Sequence, residues 1–185
     1  MGASGLEVFC TFTYFFCIDG ETEVTVKGKE HSYKKPVSEV EKGEFVLTYN
    51  GNDLIYSKVK ENKREEGQRT FFTFKIKDKN SGFKTITVTD NHPILVFNKE
   101  KDIEPEFKNA SSIKKGDLTR TTEGISEIVE INKELKNVCY KFVVEQGTVL
   151  ANDILVGAFY FKENENKKII KSIIDKSKIP ITEVN

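Results

Sequence analysis

The sequence predicts an all-β protein made of two related halves, and three observations lead there. Composition is the first: fourteen Phe and six Tyr stand with many Val, Ile and Thr against few Ala and one Met. Those side chains suit a pleated, half-buried surface better than a helix. The second is pattern, short alternating stretches punctuated by Gly, Asn and Asp turn signals. The third is an internal repeat in which the stretch starting at Val37 returns at Ala110, 73 positions on.

Along the chain, residues 6–16 alternate Val8, Cys10, Phe12 and Tyr14 with Phe9, Thr11, Thr13 and Phe15, and read as an extended segment. Asp19-Gly20 marks a turn. Residues 21–26 set Thr22, Val24 and Val26 against Glu21, Glu23 and Thr25, as a half-solvated strand does, and Gly28 closes it. His31 follows in a Lys-rich loop and reads as exposed and non-catalytic. Residues 45–49 form a strand, Asn50-Gly51 a hairpin turn, and 54–60 the returning strand. The run Glu-Asn-Lys-Arg-Glu-Glu-Gly-Gln-Arg over 61–69 reads as a charged loop. Strands follow at 70–77, 84–89 and 94–97, with turns at Asn80-Ser81-Gly82 and around His92. A polar excursion over 98–109 contains Pro105. Gly124 separates strands 118–122 and 126–132. Strands 139–144 and 148–151 meet at Gln146-Gly147, and 153–160 is the last. In the charged tail, Ile169, Ile170, Ile173 and Ile174 fall at helical spacing and Pro180 ends the pattern. A short helix and a frayed end both fit it.

The repeat aligns Val37-Ser38-Glu39-Val40-Glu41-Lys42-Gly43-Glu44-Phe45 with Ala110-Ser111-Ser112-Ile113-Lys114-Lys115-Gly116-Asp117-Leu118. Each copy precedes a strand, a Gly-containing turn and a returning strand. Further on, 72–76 resembles 140–144, and the stretch from Thr87 to Val96 resembles that from Thr148 to Val156, with Pro93 unmatched. Two β subdomains related by a pseudo-two-fold axis would set the Thr89/His92 turn opposite the Asn152/Asp153 turn, with the strand bearing Cys17 between them.

With 185 residues the chain can bury a full core. Basic and acidic residues number 29 each, so no bulk basic field gathers nucleic acid or acidic lipid, and a monomer without nucleic acid is expected. Three cysteines are too few for a disulfide scaffold, and at least one is unpaired within the chain. Two histidines and no CxxC argue against a zinc site; no metal or organic cofactor is expected. Residues 9–18 are too short to span a membrane and lack the basic flank and small-residue site of a signal peptide. Met1-Gly2-Ala3-Ser4-Gly5 reads as an artificial start. Low cysteine use leans toward a reducing compartment without assigning one.

Thr89 and His92, two residues apart across a turn, are placed to aim into one pocket, and a histidine exchanges protons near neutrality. The nucleophile to go with them is Cys17. Each also has a plain structural reading: burial beside Phe15 and Phe16 for Cys17, a turn cap for His92. In the chemical reading the Cys17 sulfur attacks the carbonyl carbon of Phe16. Nucleophile and electrophile are already covalently linked, so no bimolecular entropy is lost. Neutral His92 takes the thiol proton and returns it to the departing nitrogen. Thr89 holds the amide or the imidazole, and turn N–H groups steady the oxyanion. A thioester results, and a second nucleophile releases the N-terminal segment.

Four stretches, in order, resemble a known family. Cys17-Ile18-Asp19-Gly20-Glu21-Thr22-Glu23-Val24 is similar to the opening of the Hint domain shared by hedgehog autoprocessing domains and inteins. Residues 35–47, Lys-Pro-Val through Lys-Gly-Glu-Phe-Val-Leu, resemble its second signature. Thr89-Asp90-Asn91-His92 resembles its TxxH motif, and the stretch from Glu145 to Val156 its closing hedgehog block. The resemblance covers about residues 17–160. It implies an all-β horseshoe with pseudo-two-fold duplication, flanked by an N-terminal segment over 1–16 and a tail over 161–185. It also implies Cys17 as thioester-forming nucleophile, with Thr89 and His92 activating the scissile amide.

The family's acceptor is a sterol hydroxyl in hedgehog proteins; inteins use the residue after a terminal His-Asn. Here that region reads Leu155-Val156-Gly157-Ala158-Phe159-Tyr160, which argues against splicing. The hedgehog aspartate that activates the sterol falls near Arg64, beside Glu65 and Glu66, so Glu65 is the candidate base. Asp153 completes the candidate set. The fused N-terminal segment is the expected substrate. Water, a sterol or other alcohol, an amine or a thiol is the expected acceptor. A catalytically silent binding module of the same fold is the alternative.

Overall fold

Residues 16–50, 53–77, 82–97 and 105–158 are described in the computed structural model, and among them the secondary structure is β-strand with two short 3-10 turns and no α-helix. The strands are β1 (Cys17–Ile18), β2 (Glu23–Lys27), β3 (Ser32–Pro36), β4 (Phe45–Asn50), β5 (Asp53–Lys77), β6 (Phe83–Thr89), β7 (Pro93–Phe97), β8 (Glu106–Asn109), β9 (Leu118–Thr121), β10 (Gly124–Val144), β11 (Thr148–Ala151) and β12 (Ile154–Gly157). They hydrogen-bond in the order β10-β1-β6-β5-β4-β2-β11-β12-β9-β7-β8, with β3 added on β2 and β10 returning to pair with β5. The result is the expected Hint-like horseshoe. Segment 6–15 and the tail helix lie outside the described residues.

The duplication is visible in backbone detail. A 3-10 turn at Val37–Glu39 follows Pro36 (φ −63°, ψ 144°), and one at Ala110–Ser112 follows Asn109 (φ −61°, ψ 141°). Gly43 (φ 99°) and Gly116 (φ 94°) then turn the chain through the left-handed region, where a side chain is strained. In each copy an acid caps the turn: the Glu41 N–H donates to Glu44 Oε2 at 2.6 Å, and the Lys114 N–H to Asp117 Oδ2 at 3.0 Å. Earlier turns match too. The Thr22 N–H donates to the Asp19 carbonyl at 3.1 Å, as the His92 N–H does to the Thr89 carbonyl at 2.9 Å. So the turn after Cys17 has the same hydrogen bond as the turn bearing His92.

The two long strands differ from the sequence expectation. Residues 61–69 are not a loop: β5 runs 25 residues and β10 runs 21, paired from Glu127↔Lys77 to Val144↔Val59. Charged residues that suggested a loop instead line this paired ribbon. Lys63 and Glu65 pair at 2.8 Å, as do Lys141 and Glu61, and Arg64 pairs with Glu66. With charge satisfied within the ribbon, no alternating apolar face is needed. The edge strands β3 and β8 were likewise not anticipated, because exposed Lys and Ser in β3 give no alternation.

Beneath the horseshoe, Phe74, Ile86, Val88, Ile128 and Phe142 pack in one buried cluster with Val24, Ile94 and Val156. Phe74 is fully buried. Truncation to alanine removes its ring and leaves a cavity, so Phe74→Ala is expected to lower unfolding free energy by about 3–5 kcal/mol. Urea denaturation of wild type and variant checks this; a loss below 1 kcal/mol would mean the core collapses around the gap.

Candidate active site

Cys17 stands on a two-residue strand locked between two others. Cys17 lies opposite Lys141 and Ile18 opposite Tyr140 on β10, while Ile18 faces Val88 on β6. The next residues tighten the placement: the Asp19 N–H donates to the Thr87 carbonyl at 3.1 Å, and the Asp19 carboxylate pairs with Lys136. Gly20 has no room for a side chain, since a Cβ would stand 2.6 Å from a ring carbon of Tyr140.

β6 ends at Thr89, which reaches back to Cys17. The Cys17 N–H donates to Thr89 Oγ1 at 3.1 Å. Thr89 Oγ1 in turn lies 3.0 Å from Asn91 Oδ1 and 3.4 Å from the Cys17 carbonyl. The nitrogen held by Thr89 belongs to the Phe16–Cys17 peptide bond. His92 flanks the same bond, its ring meeting that of Phe16 edge-on with centroids 6.2 Å apart. His92 is buried, 1% exposed. The carbonyls of Gly157 and Cys17 lie near enough to favour a charged ring, yet neither ring nitrogen completes a hydrogen bond among the described residues. Two unbonded buried nitrogens are costly as architecture and useful for proton exchange.

Burial dominates the titration of His92 and pushes its pKa down to about 4, only partly offset by those carbonyls. The ring is therefore neutral at pH 7. Between about pH 6.5 and 4 the unfolded chain takes up a proton at His92 that the folded chain resists. Stability is thus unaffected by this group above pH 6.5 and is lost as pH falls through that window, by on the order of 3 kcal/mol in total. His92→Gln, which does not titrate, is expected to flatten the profile there. An unchanged slope would place the acid sensitivity elsewhere.

The Cys17 side chain lies in a small cluster with Phe71 and Cys139, all three fully buried. Both cysteines are free thiols. Hydrogen bonding with Cys139, then burial, raise the Cys17 pKa, while the bond received from Cys17 lowers that of Cys139. Glu65 pairs with Cys139 across the ribbon, and its charge, like that of Arg69, is felt at both sulfurs. Cys139 was absent from the sequence-based set; nothing local marks it, and only the β1–β10 register brings it to Cys17.

Three expected residues thus meet around one peptide bond, Cys17, Thr89 and His92, while Glu65 stands across β10, opposite Cys139. Asp153 lies at the turn after β11, where it ion-pairs with Lys34 and, at 3.8 Å, with Lys84. Its neighbour Asn152 ties two strands together, accepting from the Glu23 N–H at 2.8 Å and donating to the Thr85 carbonyl at 2.9 Å. Asn152 and Asp153 both adopt positive φ, 47° and 64°, which short polar side chains tolerate. Among the described residues no group of three His, Cys, Asp or Glu side chains is arranged to hold a metal.

The family model of the Hint module matches residues 8–172. The chain belongs to the Hint family. Solved structures with this Hint fold include the gp41-1 intein, with TM-score 0.59 and 18% identity over 78% of this chain and 99% of that one. An intein from a hyperthermophile aligns with TM-score 0.63 and 14% identity, over 77% of this chain and 99% of the other. A DnaB intein from Synechocystis sp. PCC 6803 gives TM-score 0.61 and 18% identity, covering 77% and 98%. At such identities the likeness establishes the fold alone. No curated protein sequence matches the chain.

Proposed function

We propose that this Hint domain cleaves its own chain before Cys17 and passes the N-terminal segment to an external nucleophile, in the manner of hedgehog autoprocessing. The observation that carries this reading is the Thr89 hydroxyl on the Cys17 N–H at 3.1 Å, because that nitrogen is the leaving group of an N-to-S acyl shift. The Cys17 sulfur attacks the Phe16 carbonyl carbon, the C–N bond breaks, and a thioester forms with a free α-amine on Cys17. Thr89 fixes the nitrogen, and the neutral His92 ring beside Phe16 relays a proton to it. The acceptor is a water, a sterol or other alcohol, an amine or a thiol, and the Glu65 carboxylate behind Cys17 activates a hydroxyl acceptor. The domain works as a monomer, once per molecule, without a cofactor.

Hedgehog-type transfer is favoured over splicing because Leu155-Val156-Gly157-Ala158 replaces the His-Asn ending that frees a C-terminal flank. Asp153 acts through the Asn152 turn, which holds β2 and β6 in register; Asp153→Asn is expected to slow cleavage less than tenfold, and a larger loss would place it in the chemistry. The deciding experiment is intact-mass spectrometry of the full chain before and after hydroxylamine or dithiothreitol. Loss of residues 1–16 supports the reading. A joined product lacking an internal segment would replace it with splicing, and a constant mass would leave a silent module of the same fold.

A further inference from the structure

The Cys17 thiol needs a base, and His92 does not supply one in this geometry. Its ring meets that of Phe16 edge-on, and neither of its nitrogens bonds a described partner. The sulfur instead sits in the buried cluster with Cys139 and Phe71. We propose that Cys139 is a further catalytic residue of this site, the proton acceptor that turns the Cys17 thiol into the attacking thiolate. The inference rests on the self-cleavage reading above.

The strand register dictates the contact. Cys17 lies opposite Lys141 in the antiparallel β1–β10 pair. Cys139 is two residues from Lys141 on the same strand, so both thiols share a face and meet diagonally. Among the described residues, the charged groups felt at Cys139 come from β5: Glu65, directly opposite in register, and Arg69. Between these two the pairing breaks at Gly67 (φ 127°), where β5 carries two residues, 67 and 68, against the single residue 137. Such a bulge bends the strand and re-aims its side chains. The hydrogen bond with Cys17 lowers the Cys139 pKa most, burial opposes it, and the Arg69 guanidinium lowers it further against the opposing charge of Glu65. Arg69 Nε is itself buried with no described partner, as expected of a cation held for a transient anion. The Cys17 thiol and the Cys139 sulfur are hydrogen-bonded to each other, the arrangement along which a proton passes from one sulfur to the other.

The step balances without any other reactant. The Cys17 S–H proton moves to the Cys139 sulfur. The Cys17 thiolate forms the C–S bond with the Phe16 carbonyl carbon, and the C–N bond breaks. The departing Cys17 nitrogen requires one proton to become an amine, and Cys139 carries one, so no proton is gained or lost overall. Cys139 ends as it began.

Two variants of the full chain test this, with dithiothreitol as the thiol that releases the N-terminal segment. Cys139→Ser keeps the volume of the side chain but cannot ionise, and Cys139→Ala removes the group. Both are expected to cleave about 10²-fold more slowly at pH 7, the lower end of what a positioned base supplies. Their rates should then climb about tenfold per pH unit into alkali, where hydroxide replaces the lost base, while wild type levels off. If Cys139 only packs, Cys139→Ser cleaves at the wild-type rate with the wild-type profile, and the proposal is overturned. Thiolate absorbance near 240 nm, in a Cys10→Ser background, separates this from the cleavage reading. One thiolate titrating below the ordinary cysteine value of about 8.5, and lost in Cys139→Ala, is expected whether or not the chain cleaves. Its absence in wild type overturns the proposal even if cleavage proceeds, whereas cleavage persisting in Cys17→Ala overturns the parent reading instead.

Discussion

Cys17→Ala is expected to keep the full mass of the chain in dithiothreitol and hydroxylamine under conditions where wild type loses residues 1–16. The effect should be complete, because no other group can take the place of a nucleophile tethered to its own electrophile; an effective concentration of about 10⁵ M or more is lost with the sulfur. Alanine fits the site: Cys17 is buried in contact with Phe71 and Cys139, and removing one sulfur leaves a small gap rather than a clash. The variant should fold, which thermal melting would verify. Cys17→Ser would retain the geometry with a far weaker nucleophile and should be slow rather than inert. Cleavage of folded Cys17→Ala at the same bond would sink the mechanism outright.

His92→Ala should slow the acyl shift by about 10²–10⁴-fold, the range general acid–base groups supply. The loss has a defined cause. A thioester is uphill from an amide, so the step proceeds only if the nitrogen is protonated before the thioester reverts. His92 is the buried side chain against Phe16 whose ring nitrogens bond no described partner, and the proposed mechanism gives it that proton transfer. Because burial holds its pKa near 4, the ring stays neutral from pH 8 to pH 5, and cleavage should not collapse through His92 protonation across that range. The measurement is single-turnover cleavage followed by mass, with His92→Ala assayed alongside a melting curve. A folded variant within threefold of wild type would remove His92 from the chemistry.

Much of this arrangement was legible in the chain. Gly43 and Gly116 mark equivalent left-handed turns, and the acids that cap them, Glu44 and Asp117, sit at equivalent positions in the repeat. Cys17, Thr89 and His92 were recognisable because each sits in a short stretch with its own pattern. What could not be read is whatever depends on long-range register. The ribbon of β5 and β10 looked like loops, since Lys63, Arg64, Glu65 and Glu66 satisfy one another and need no apolar face. Cys139 looked like any strand cysteine, and its place beside Cys17 follows only from the pairing of Cys17 with Lys141. Asp153 was drawn toward the chemistry by the repeat, which aligns its turn with that of His92. The structure gives its carboxylate to Lys34 and Lys84.

The placement of β1 also sets a clock. This two-residue strand is held on one side by β6 and on the other by residues 140 and 141 of β10. A ribosome extending the chain at about 5–20 residues per second takes roughly ten seconds to get from Cys17 to that partner. Until then Cys17 has neither its second neighbouring strand nor the Cys139 thiol beside it. Under the self-cleavage proposed above, whatever is synthesised ahead of Cys17 would have that interval in which to fold while still attached. Release would then be tied to completion of the last part of the domain rather than to the appearance of Cys17.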